Sequence, residues 1–243
     1  VSDVAVLERV RVVLSHTSHP GNIGAAARAM KTMGLSHLYL VKPKHFPHVD
    51  SRALAAGALD ILSAAVVCET LDEALSGTVL AVAATARNRD LSHEVVDCRA
   101  ASLRLVSEAR RGDVALVFGT ERTGLTIAEV NKCGLIATIP ANTTYASLNV
   151  AQAVQVFAYE LRIGSEISES EPAVGPANLA THEEVEHFYE HLERTLYSTG
   201  FLSPAQPGRL MQRMRRLFAR SRLEKEEVNI LRGILSAMQD KAQ

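Results

Sequence analysis

The sequence predicts an α/β fold: a parallel sheet with helices on both faces, followed by a small all-α extension. Three observations carry this reading. Short apolar, β-branched runs alternate with segments of helical period through residues 10–161. The runs do not alternate strictly between apolar and polar residues, as expected of strands buried on both faces. A stretch rich in Pro, Gly, Ser and Glu at 164–180 then separates a purely helical tail.

The elements follow in order. Residues 10–14 (VRVVL) read as the first strand. Ile23, Ala26, Ala27, Met30 and Met33 have helical spacing and predict a helix over 22–33, with Asn22 able to cap it and Gly34 closing it. Residues 38–41 form a second strand before the breaker-rich KPKHFPH, 51–58 a short Ala-rich helix, and 66–67 a weak third strand. Thr70 and Glu73 make a capping box for a helix to 76, and 79–83 is the fourth strand. A helix over 99–110 leads to the fifth strand, 114–118, and Thr126 with Glu129 opens another boxed helix to 132. The run 135–139 is a strand ending at Pro140. Ser147 starts the long helix that carries Val150, Val154, Phe157, Ala158 and Leu161. In the tail, Thr181 and Glu184 cap a helix with Val185, Phe188, Leu192 and Leu196 inward. A two-proline turn at 197–208 precedes amphipathic helices from 209 and from 225. The expected domains are 1–164, a linker 165–180, and a helical extension 181–243.

Composition narrows the function classes. Apolar residues make up 47% of the 243, enough for a sizeable core. No apolar run approaches the ~18 residues of a membrane span, so no membrane partner is expected. The first residues carry Asp3 and Glu8 without an apolar h-region, so no secretory signal is expected. Cys68, Cys98 and Cys133 are odd in number and widely spaced. They fit neither a disulfide framework nor a metal knuckle and suggest a cytoplasmic setting. His187 and His191 lie four apart but lack a third ligand and the HExxH pattern, so no metal is expected. The net charge of −1 hides an asymmetry: residues 165–193 hold eight acids and no Lys or Arg, whereas 194–223 hold seven arginines and no acid.

In parallel sheets, ligands bind at the carboxyl ends of strands, and three motifs stand there. After the first strand comes Asn22-Ile-Gly24-Ala-Ala-Ala-Arg28. After the fifth comes Phe118-Gly119-Thr-Glu121-Arg122-Thr-Gly124-Leu125, a glycine pair around charges, where backbone approaches a ligand closely. It matches neither the dinucleotide fingerprint nor the phosphate loop, which disfavours a nucleotide-dependent oxidoreductase. The third is IPANTTYASLNVAQA over 139–153, where Ser147 sits near a helix N-terminus suited to a polar group.

Together, in this order, NxGxxxR, FGxExxGL and IPxxxxxxSLNVAxA resemble the SPOUT (trefoil-knotted) RNA 2′-O-methyltransferase family. The stretches HTSHPGNIGAAARAMKTMGL and RRLFARSRLEKEEVNILRGIL are similar to its bacterial tRNA ribose methyltransferases acting on cytidine or uridine 32 of the anticodon loop. The resemblance implies a C-terminal trefoil knot in the first domain, a homodimer and an S-adenosylmethionine site. Carried over by position, Ala84, Thr85 and Ala86 form the adenine-side loop, joined by Gly119, Ile139, Ala146, Ser147 and Leu148. Ala146 stands where a second serine is common, which leaves that contact to backbone. Arg28 is implied to meet the substrate ribose near the partner's cofactor. Because arginine stays protonated, its expected role is to orient ribose or phosphate and stabilise the developing alkoxide. Ser147 and Asn149 would supply hydrogen bonds, and Glu121 would position an arginine or the loop.

Arg209, Arg213, Arg216 and Arg220 fall on one helical stripe beside Leu210, Met214 and Leu217 and read as a phosphate track. The alternative is a face salt-bridged to the acidic helix. His16, His19, Lys42, Lys44, His45 and His48 read equally as RNA-facing or as solvated loop. The expected function is 2′-O-ribose methylation of tRNA. Its rivals are the same chemistry on ribosomal RNA and a non-catalytic knotted RNA-binding protein, the latter disfavoured by intact Arg28, Glu121, Ser147 and Asn149.

Overall fold

The computed structural model describes residues 6–86, 94–142, 144–167, 178–203 and 209–242. The chain divides into two units, Val1–Ala173 and Val174–Gln243. The first unit holds seven strands: β1 (Val10–Ser15), β2 (His37–Val41), β3 (Val66–Cys68), β4 (Thr78–Ala84), β5 (Val95–Asp97), β6 (Asp113–Phe118) and β7 (Leu135–Thr138). They form one sheet in the order β3-β2-β1-β6-β4-β7-β5, with every pairing parallel. Its helices are α1 (Pro20–Thr32), α2 (Val49–Ala55), α3 (Leu59–Ser63), α4 (Leu71–Leu75), α5 (Cys98–Ala109), α6 (Ile127–Val130) and α7 (Val150–Ile167).

Successive strand residues point to opposite faces, and here both faces are apolar. Val10, Val12 and Leu14 of β1, Leu116 and Phe118 of β6 and Leu135 of β7 join the core under α1, α5 and α7. Val13, Ala115, Val117 and Ile136 face the smaller core with α4. This explains why the strands read as continuous apolar runs.

Helix α1 is fixed from two sides. Ile23, Ala26, Ala27 and Met30 are buried against the sheet. Gly24 lies so close to α2 that a Cβ placed there would come within 2.0 Å of the Ser51 carbonyl oxygen. The motif-one glycine therefore serves helix–helix contact. Gly34, at φ +82°, closes the helix in the left-handed region, as expected of a C-terminal glycine.

Three local expectations are corrected. The helix predicted from Asn22 begins at Pro20, whose fixed φ suits a first turn. Asn22 lies inside the helix and its side chain is used elsewhere. The helix predicted from Ser147 begins at Val150: Asn149 Oδ1 accepts the Ala151 N–H at 2.9 Å and caps it, leaving Ser147 and Leu148 in the preceding loop. The helix predicted over 51–58 ends at Ala55, and a separate α3 follows. Strand β5 was not predicted.

The second unit contains α8 (His182–Ser198), α9 (Leu210–Ser221) and α10 (Lys225–Ala242). Phe188, Tyr189, Leu192, Val228 and Leu235 form its core, with Met211, Met214 and Phe218 packed against them. The inward face of α9 is thus 211, 214 and 218, and Leu217 is exposed. Of the linker read at 165–180, residues 168–177 lie outside the described residues, and α7 continues through Ile167. The prolines of the 197–208 turn also lie outside them.

Gly24→Ala should lower the stability of the chain by about 3 kcal/mol, because overpacking against backbone has no side chain to move aside. Gly57→Ala, where an added Cβ meets nothing within 4 Å, is the control and should be near neutral. Urea unfolding of both variants checks this.

Candidate active site

Three strand ends of the sheet's carboxyl edge meet around one pocket of about 320 Å³. From β4 come Ala84, Thr85 and Ala86; from β6, Phe118 to Arg122 and Gly124; and from β7 onward, Ile139, Ala146, Ser147 and Leu148. Val150, Ala153 and Phe157 of α7 complete it. All eight residues carried over as cofactor contacts (Ala84, Thr85, Ala86, Gly119, Ile139, Ala146, Ser147 and Leu148) line this pocket, as does Glu121. Arg28 and Asn149 do not line it.

The local backbone explains the shape. Thr85 N–H donates to the Ala137 carbonyl at 3.0 Å, so the β4 loop extends the ladder beside β7. Gly119 packs directly on the returning chain: a Cβ there would sit 2.1 Å from Leu125 N and 2.2 Å from the Gly124 carbonyl carbon. Gly124, at φ +67°, makes that return possible. The Phe118 and Phe157 rings meet edge to face at 5.7 Å.

Glu121 joins the second motif to the first. Its carboxylate accepts from Ser18 N–H (3.1 Å), Ser18 Oγ (2.8 Å), His19 N–H (3.2 Å) and Asn22 Nδ2 (2.9 Å). Burial works against its charge, but the hydrogen bonds from Asn22 and Ser18 prevail and hold its pKa at about 2. Asn22 then reaches the third motif, its Oδ1 accepting from Asn149 Nδ2 at 2.9 Å. Asn149 thus has its carbonyl on the α7 cap and its amide on Asn22. Asn22 is the residue that sequence reasoning missed. The motif contained it, but a cap was the nearer explanation.

The other candidates are placed as follows. Arg28 lies on the exposed side of α1 with no ion pair among the described residues. Ser147 is exposed at the pocket, and its hydroxyl has no partner among the described residues. Next to the site, Ser15 Oγ donates to Glu129 and lies 2.8 Å from His16 Nδ1. Burial opposes the Glu129 charge, but bonds from Ser15 and Thr126 hold its carboxyl below the usual range. In the second unit, Arg215 pairs with Glu186 of the acidic helix and stacks over Tyr189 at 4.4 Å. Arg209, Arg213, Arg216 and Arg220 form no ion pair among the described residues, and all but the half-buried Arg216 are exposed. His191 Nε2 lies 3.2 Å from Gln239 Oε1. No group of three potential metal ligands occurs among the described residues, and no helix there is long and apolar enough to cross a membrane.

The parallel sheet and its looped carboxyl-edge pocket define a methylase of the SpoU type: a family model described as the SpoU rRNA Methylase family matches residues 9–159, and the chain belongs to that family. A second model, described as the C-terminal domain of tRNA methyltransferase TrmJ, matches residues 183–243. The chain is 48% identical over 236 residues to the tRNA (cytidine/uridine-2'-O-)-methyltransferase TrmJ of Pectobacterium atrosepticum, covering 96% of this chain and 98% of that one. The corresponding Klebsiella pneumoniae protein is 48% identical over 238 residues, covering 96% and 98%. Among solved structures, TrmJ from Z. mobilis ZM4 superimposes with a TM-score of 0.83 at 32% identity, over 94% of this chain and 98% of that one. A probable methylase family protein from Haemophilus influenzae reaches 0.65 at 42% identity, over 97% of each.

Glu121→Gln replaces a charged acceptor of four donors and should cost about 1–3 kcal/mol at neutral pH. The folded pKa of about 2 lies below the usual 4.5, so this stability is present above about pH 4.5 and is lost as pH falls toward 2. Denaturant unfolding should show the gap between wild type and variant narrowing across that window.

Proposed function

We propose that the chain transfers a methyl group from S-adenosylmethionine to the ribose 2′-oxygen of cytidine or uridine 32 in the tRNA anticodon loop. The observation that carries this reading is one pocket formed by the loop after β4 and the second and third motifs, with the first motif hydrogen-bonded to Glu121 and Asn149, in a chain whose near-full-length relatives are tRNA 2′-O-methyltransferases. A pocket of about 320 Å³ is of the size that binds small molecules. Phe118, Val150 and Phe157 give it an apolar wall suited to an adenine face. The small side chains of Ala84, Ala86, Gly119 and Ala146 leave hydrogen bonding to main-chain groups.

The cofactor supplies an activated sulfonium methyl, so the chain's own task is placement. Ser147 offers a free hydroxyl at the pocket to the substrate ribose. Glu121, through Asn22, fixes the start of α1, the helix that carries Arg28. The Arg28 guanidinium is suited to bind ribose or phosphate and to stabilise the alkoxide as the 2′-proton passes to solvent. Because Arg28 does not line the pocket of its own chain, the reading places it at the pocket of a second copy in a homodimer. Arg209, Arg213, Arg216 and Arg220 carry tRNA phosphates, with 181–243 as an RNA-gripping extension after the 1–164 methyltransferase domain. Three free, buried cysteines fit a reducing cytoplasm.

Labelled-methyl transfer into unmodified tRNA tests the reading. Arg28→Ala should abolish transfer while leaving cofactor affinity within about threefold. Lost cofactor binding would contradict its assigned role. Replacing Arg209, Arg213, Arg216 and Arg220 with Gln should flatten the salt dependence of tRNA binding by ~0.7–0.9 logarithmic units per lost phosphate contact. An unchanged slope would remove these residues from the RNA surface.

A further inference from the structure

We infer that Tyr145 is the stacking platform that holds the base of the target pyrimidine at the mouth of the pocket. The inference rests on the reading of the chain as an RNA methyltransferase. Tyr145 is 81% exposed, the highest value among the exposed large hydrophobic residues of the described chain. A lone exposed aromatic needs no explanation by itself, so its location decides. The three residues that follow it, Ala146, Ser147 and Leu148, all line the pocket. Extended chain advances at most about 3.6 Å per residue, so the ring is anchored within about 7 Å of Ser147 along the backbone. That is roughly the span between the face of a base and its own ribose.

The loop holds this residue outward. Tyr145 N–H donates to the Asn142 carbonyl at 3.1 Å, and Asn142 Oδ1 accepts from Thr144 N–H (3.0 Å) and Thr144 Oγ1 (2.8 Å). The polar side chains beside it are tied to one another, and the ring is left to solvent. The other markedly exposed aromatics, Tyr159, Tyr197 and Phe201, lie on α7, at the end of α8 and beyond it, and none of them lines the pocket.

The chemistry fits an unpaired RNA base. Loops are recognised by splaying a base onto an aromatic face, and such stacking tolerates either pyrimidine because both present a π-surface. A base held on Tyr145 places the ribose 2′-oxygen over Ser147 and restricts rotation of the nucleotide. Tyr145 is therefore a substrate-positioning residue, and its effect belongs mainly in KM for RNA.

The test uses the full chain and an anticodon stem-loop RNA with the fluorescent analogue pyrrolo-cytidine at the target position. Wild type and Tyr145→Phe should change its emission to the same extent within about twofold, and Tyr145→Ala should remove most of the change. In steady-state assays with unmodified tRNA, Tyr145→Ala should raise KM about tenfold, with cofactor affinity and the mass in light scattering unchanged. Equal emission and KM in Tyr145→Ala would overturn the inference. So would a loss of cofactor affinity or a change in mass, which would assign Tyr145 to the pocket wall or to a subunit contact. If the wild type transfers no methyl group yet the emission change depends on Tyr145, the proposed function fails and the inference stands.

Discussion

The side chain of Asn22 is hydrogen-bonded at both ends, and the geometry of the site depends on it. Its amide donates to Glu121 and its carbonyl accepts from Asn149, so one residue ties together the loops that follow β1, β6 and β7. An amide suits this role, since aspartate could not donate to Glu121 and leucine could do neither. Glu121 is the charged partner. It is part-buried with no ion pair among the described residues and keeps its charge because four donors converge on it. Removing any of these polar groups would leave the others unsatisfied near the protein interior, where that is costly.

The sheet beneath makes the bridge possible. Parallel strands place their carboxyl ends along one edge, so motifs nearly a hundred residues apart arrive side by side. Helix α1 converts that proximity into alignment. Its apolar face, Ile23, Ala26, Ala27 and Met30, is buried, Gly24 seats it on α2, and its polar side carries both Asn22 and Arg28. Anchoring the first turn to Glu121 therefore also fixes the direction in which Arg28 leaves the helix. In the second unit, Arg215 shows the contrasting use of a cation. It pairs with Glu186 and covers the Tyr189 ring, whereas the four arginines of the predicted stripe form no such pair among the described residues.

Strands and long helices were legible because burial imposes a period on them. The β-branched runs around Val12, Leu40, Val82, Leu116 and Ile136 all form strands, and the capping box at Thr126 forms as read. The pocket-lining residues were legible through the resemblance to the SPOUT family that the three motifs carry. What sequence could not supply was the tertiary partner of each polar side chain. Asn22 and Ser147 both stand where a local rule predicts a cap, yet Asn22 bridges two other loops and Ser147 faces the pocket while Asn149 makes the cap. Strand β5, paired with β7 at the sheet edge, was not predicted.

The most direct measurement of the central claim is mass-spectrometric mapping of the nucleoside methylated when the chain is supplied with S-adenosylmethionine and a mixture of unmodified tRNA and ribosomal RNA. The account predicts a 2′-O-methylpyrimidine at position 32 of tRNA. Methylation confined to ribosomal RNA, or cofactor binding without transfer to either RNA, would contradict it.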